Sequence, residues 1–91
     1  MASAVASVGD LTPSELAAFA VLCALRLQRV EEVTAKQLAP LLLRSASQAE
    51  KLLRSLEAKG VAERAEPSRW RLREGWERLW RELLEEAERN V

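Results

Sequence analysis

Apolar and polar positions along the chain switch rhythm several times, and each switch predicts an element. Thr12-Pro13-Ser14-Glu15 is a helix start: Thr12 is suited to the cap, Pro13 to the first helical position, and Glu15 completes a capping box. A helix is predicted from there to about Gln28. Its middle, Leu16 to Leu25, holds no charged residue. Leu16, Phe19, Ala20, Cys23 and Leu27 share one face, while Ala17, Val21, Ala24 and Leu25 point elsewhere. A helix apolar on all sides is covered on more than one side, and in so short a chain the second cover is expected to be another subunit.

Thr34 with Gln37 is a second capping box and predicts a short helix over Ala35–Leu42. Leu38, Ala39 and Leu42 turn inward there. Pro40 removes one backbone hydrogen bond, which predicts a distorted or late-starting helix. Ser45 with Gln48 is a third box. The helix it opens carries a buried stripe of Ala49, Leu52, Leu53 and Leu56, and Gly60 marks its end after Lys59.

The rhythm then shortens to two. Val61–Glu66 and Arg69–Arg73 read as strands around Pro67-Ser68, with Trp70 and Leu72 on one side and Arg69, Arg71 and Arg73 on the other. Helical spacing returns near Gly75 and runs to about Arg89, with Trp76, Leu79, Trp80, Leu83, Leu84 and Ala87 in register. Met1–Leu11, rich in Ala, Ser and Val, reads as a flexible tail without the basic start and long apolar stretch of a secretory signal. The predicted organisation is a tail over 1–11, a domain over 12–73 and a C-terminal helix over 74–91, packed on the domain or on a second subunit.

Composition narrows the class. The chain of 91 residues is 48% hydrophobic and 31% charged, which fits one modest globular domain. No apolar run reaches membrane-spanning length. A single cysteine, Cys23, forms no internal disulfide, which predicts a cytoplasmic protein. Abundant Ala, Leu, Arg and Glu, with few Asn, Cys and Met, points towards a thermophile or a GC-rich genome.

Net charge is zero but unevenly spread. Met1–Leu43 sums to −1, Arg44–Arg73 to +4 and Glu74–Val91 to −3. The one positive segment coincides with the third helix and the strands.

That segment resembles the winged helix-turn-helix regulators, the group that includes the multiple-antibiotic-resistance and arsenic-repressor types. The residues that carry the resemblance are Thr34, Leu38-Ala39, Leu42, Ser45, Ser47, Leu52-Leu53 and the run Leu-Glu-x-Lys-Gly-Val-x-x-Arg at Leu56–Arg64. It implies a mainly α fold with a small β-hairpin: a three-helix core, a short wing and a C-terminal amphipathic helix. The Leu43-Arg44 turn lacks the glycine often found there, and Glu63 and Glu66 on the short wing oppose phosphate.

The expected function is binding of double-stranded DNA as a transcriptional regulator, which in a cell would be nucleoid-associated. Helix 46–59 would lie in the major groove and wing 61–73 on the backbone. Ser47, Gln48 and Lys51, with Ser45 near the helix start, are candidates for base edges; Arg54 suits phosphate, Arg69, Arg71 and Arg73 the backbone or an adjacent minor groove, and Arg44 is a further DNA-binding candidate. A homodimer is expected, paired through Leu16, Phe19, Ala20, Cys23 and Leu27 of the first helix and Trp76, Leu79, Trp80 and Leu83 of the last. The alternative is a winged-helix interaction subunit of a replication, transcription or chromosome-organisation complex. Zero net charge and the acidic last helix favour it.

Catalysis finds little footing. The chain has no His and no Tyr, and its glycines are isolated. No metal or cofactor is expected, since one Cys without His builds no zinc site. The tryptophans read as packing groups rather than base-stacking platforms, and Cys23 as a small hydrophobe.

Overall fold

The computed structural model describes residues 7–89. After a short 3₁₀ turn at Val8–Asp10 come α1 (Pro13–Leu27), α2 (Ala35–Leu42), α3 (Ala46–Ala58), β1 (Ala62–Glu66), β2 (Arg69–Leu72) and α4 (Trp76–Arg89). The fold is therefore mainly helical with one small antiparallel sheet. Among the described residues, no helix is long and apolar enough to cross a membrane.

Each of the first three α-helices starts where side chains can replace missing backbone partners. Thr12 with Glu15, Thr34 with Gln37 and Ser45 with Gln48 all form reciprocal capping boxes, with contacts of 2.8 to 3.2 Å. α2 passes through Pro40 without interruption. Pro40 is exposed, so its ring meets solvent rather than a packed neighbour.

The same three helices also end alike. The amide directly after a left-handed residue turns back to a carbonyl of the last turn: Val30 to Leu25, Arg44 to Ala39, and Val61 to Leu56, at 2.9, 3.0 and 2.9 Å. The turn requires a left-handed residue, and the chain supplies Arg29 (φ 70°), Leu43 (φ 57°) and Gly60 (φ 77°). Only the glycine adopts that conformation without steric cost.

β1 and β2 pair antiparallel with Ala62 opposite Leu72, Glu63 opposite Arg71 and Arg64 opposite Trp70; a bulge lies between Arg64 and Glu66. Val33, in the connection between α1 and α2, adds a bridge on the far side of β2. Its amide donates to the Trp70 carbonyl and its carbonyl accepts from the Trp70 amide, both at 2.9 Å.

The core gathers Ala18, Phe19, Leu22 and Cys23 from α1, Leu38 and Ala39 from α2, and Ala49, Leu53 and Leu56 from α3. Val61, Ala62 and Trp70 close it from the hairpin, and Leu79 from α4. Lys59, just past α3, locks this body to the start of α1. Its ammonium reaches Glu15 Oε1 at 2.6 Å and the Asp10 carbonyl at 2.9 Å.

Two expectations need correction. Residues 7–11 are not a loose tail: Ser7 caps the 3₁₀ turn, and Val8 and Leu11 are buried. The remainder of the expected tail lies outside the described residues. In α4, Leu84 and Ala87 do not turn inward; both are exposed. Leu79 is the helix's fully buried residue, while Trp76, Trp80 and Leu83 pack half-buried against the core.

Candidate nucleic-acid interface

α3 presents its polar side outward. Ser45, Ser47, Gln48, Lys51 and Arg54 are all exposed, while Ala49, Leu53 and Leu56 hold the helix to the core. Beside it lies an open groove of about 540 Å³ between the first turns of α2 and α3 and the hairpin. Its cations are Lys36, Arg54 and Arg64, and its one carboxylate is Glu50. Thr34-Ala35 and Ala46-Ser47 also line it, so two helix N-termini, each with a partial positive charge, border the same space.

The polar groups on this side differ in how free they are. Ser45 Oγ accepts from the Gln48 amide and Gln48 Oε1 accepts from the Ser45 amide, both at 3.1 Å. The Gln48 carbonyl oxygen is thus committed to the cap, and bidentate contact with adenine would break it. Arg54 is bound to Glu50 at 2.6 Å, and Arg44 donates to Ser14 Oγ at 3.0 Å. Lys51 has no hydrogen bond or ion pair among the described residues.

The hairpin arginines do not all join this groove. Arg71 lines a separate cleft with Arg26, Glu31, Glu63 and Glu74, between the hairpin and the ends of α1 and α4. It is held by Glu63 at 2.7 Å, and that hydrogen bond and charge raise its pKa above the ordinary value. Arg69 stands 3.9 Å from Glu32. Arg73 is exposed and, among the described residues, has no side-chain partner.

The alternation of β2 correctly separated Trp70 from its arginine neighbours. It did not reveal that Arg71 is set directly opposite Glu63, or that Glu32 approaches Arg69 from outside the hairpin.

Arg64 and Lys36 are groove residues that sequence reasoning missed as site candidates. Arg64 sits opposite Trp70 in the ladder, stacks over the indole at 4.9 Å and approaches Glu57 at 3.4 Å. The same Glu57 oxygen accepts the Trp70 indole N–H at 3.1 Å. The signal was available in part: on strands, residues two apart share a side, which places Ala62 and Arg64 together.

The expected subunit-pairing residues divide as well. Phe19, Cys23 and Leu79 are essentially inaccessible in the single chain and belong to its own core. They cannot meet a partner without unfolding. Leu16, Ala20, Trp76, Trp80 and Leu83 are half-buried, and Leu27 is exposed. The inward side of α1 is the Ala18, Phe19, Leu22, Cys23 stripe, rotated from the face the sequence suggested. Burial, and to a lesser degree Glu77, pushes the Cys23 thiol up to about 12, which leaves it protonated and unreactive.

Among the described residues, no cluster of His, Cys, Asp and Glu is arranged to hold a metal ion. No family model, curated protein or solved structure matches the chain.

Proposed function

We propose that this chain is a small winged-helix DNA-binding protein, with α3 in the major groove and the groove beside it on the phosphate backbone. The observation that carries this reading is the meeting of two helix N-termini with Lys36, Arg54 and Arg64 next to the exposed Lys51. Amides and cations of this kind suit phosphate oxygens. Ser47 and Lys51 are the side chains free to reach base edges, Lys51 towards guanine acceptors. Regulation of transcription is the role such a module would serve.

The test is fluorescence anisotropy with mixed-sequence duplex DNA over a salt series. Binding should weaken steeply as salt rises; Lys36→Ala should reduce the logarithmic salt slope by about 1, and Lys51→Ala should cost about 1–3 kcal/mol of discrimination at the base it reads. Arg71→Ala should change the slope less, because Arg71 lies in the other cleft and is already paired. Absence of salt-sensitive binding at low ionic strength sinks the proposal.

A second reading rests on the carboxylates that hold Arg54, Arg64, Arg69 and Arg71. They engage four of the segment's eight basic side chains in ion pairs, as suits a protein–protein module of a larger assembly. A stable partner retained after Lys51→Glu and Arg54→Glu would favour this reading over DNA.

A further inference from the structure

Glu50 stands between two spaces on the outward side of α3. It lines the groove described above, and also a smaller hollow of about 320 Å³ bounded by Ser47, Glu50, Lys51 and Arg54. It is the only carboxylate lining either space. A negative charge there opposes phosphate, so its place on the face of α3 calls for a physical reason.

Helix stability supplies little of one. Glu50 and Arg54 form an i,i+4 ion pair with both side chains about half exposed, and exposed pairs of that kind contribute little. The geometry of the pair says more. Arg54 reaches Glu50 with two nitrogens, Nε at 3.0 Å and Nη2 at 2.6 Å, and both contacts fall on the same oxygen, Oε2. That grip holds the carboxylate while leaving Oε1 outside the pair. Arg54 keeps its other N–H groups for phosphate on the groove side.

We infer that Glu50 is a specificity-determining residue that reads a base, and that Arg54 positions it. The inference rests on the DNA reading above and deepens it. A carboxylate only accepts hydrogen bonds. In the major groove it is repelled by the acceptors of guanine and thymine, and it pairs only with the amines of cytosine and adenine. Adenine sets a ring acceptor beside its amine, which repels the carboxylate; cytosine does not. The favoured base is therefore cytosine. Lys51 lines the same hollow and donates, so the acceptors of the paired guanine are matched by the next residue along the chain.

Selection from duplexes with a randomised core, followed by anisotropy on the selected site, tests this. The wild type should enrich cytosine at one position, where any other base lowers affinity about tenfold. Glu50→Gln should move the preference there to adenine, which an amide pairs through both of its polar groups. Glu50→Ala should lose preference at that position alone and bind unselected duplex more tightly, because a repulsive charge is gone. A cytosine analogue without the exocyclic amine should cost the wild type about tenfold and Glu50→Ala little. Arg54→Lys keeps the charge but not the two-nitrogen grip. It should blunt the cytosine preference while leaving affinity for unselected duplex near that of the wild type. Far-UV circular dichroism of all three variants should match the wild type, since both side chains are about half exposed.

A wild type that selects no cytosine, or Glu50→Gln and Glu50→Ala variants that keep the wild-type preference at every position, overturns the inference and leaves the DNA reading standing. A wild type that binds no duplex at low ionic strength overturns both.

Discussion

α1 and α3 invite comparison because so much about them is alike. Both open on a reciprocal capping box, both end in the same backward-turning hydrogen bond, and both bury an apolar stripe in one shared core. They differ on the outward side. α1 shows alanines and a leucine there; α3 shows serines, a glutamine, a lysine and an arginine. The inward stripe and the ends set where a helix lies in the fold. The outward side is free of that duty, so it carries the information about partners.

Substitutions can break the likeness or sharpen the contrast. The largest effect is expected from Leu53→Ala in α3 or Phe19→Ala in α1, since both side chains are fully buried. Each should lower stability by about 3–5 kcal/mol in urea denaturation. A much smaller loss for one of them would show that the two stripes do not share a core.

Next comes the tie between the helices. Lys59→Met removes the partner of a buried carboxylate and should cost about 1–3 kcal/mol at neutral pH. The sign with pH follows from Glu15. Burial pushes its carboxyl up, but the Lys59 and Thr12 hydrogen bonds and the Lys59 charge outweigh this and hold it below its ordinary 4.5. Stability from the pair is therefore present above pH 4.5 and is lost as pH falls through the lowered value. The gap between wild type and Lys59→Met should close in acid, as measured by thermal melts across that range.

Smaller still are the caps. Thr12→Ala and Ser45→Ala should each cost about 1 kcal/mol by chemical denaturation. Ser45→Ala removes only the Gln48 amide's partner; the backbone amide of residue 45 still holds Gln48 Oε1.

The smallest expected change is a gain. Arg29→Gly, placed where α1 turns left-handed, should raise stability by up to about 1 kcal/mol, whereas Gly60→Ala after α3 should lower it. Melting temperatures of the two variants would decide the signs.

Much of this fold was legible because its signals are local. Three capping boxes, Gly60 and the alternation of β2 each occupy a few neighbouring residues, and each was found where expected. What escaped depends on distance along the chain or on direction. Lys59 and Glu15 lie 44 residues apart and leave no mutual pattern. The all-apolar middle of α1 predicts burial but not which side is buried, so Phe19 and Cys23 were assigned to a partner instead of the core. Ser7 and Asp10 form a capping box, but the small-residue composition around them reads as a tail.

At the candidate site, the exposed residues of α3 followed from its stripe. Glu32, which faces Arg69, comes from the connection before α2, while Glu63 meets Arg71 and Arg64 meets Trp70 through the cross-strand register, which alternation along one strand does not give.

The Val33–Trp70 bridge has a kinetic consequence. It joins positions on either side of α2, α3 and β1, so its formation is expected to follow that of the local helices. Closing so long a loop costs entropy before its contacts form, so docking of the hairpin is expected late in folding and its release early in unfolding. Trp70 is buried at that junction. In stopped-flow refolding, the part of the tryptophan emission change that comes from Trp70 should lag the far-UV signal of the helices. The difference between the wild-type and Trp70→Phe traces isolates that part.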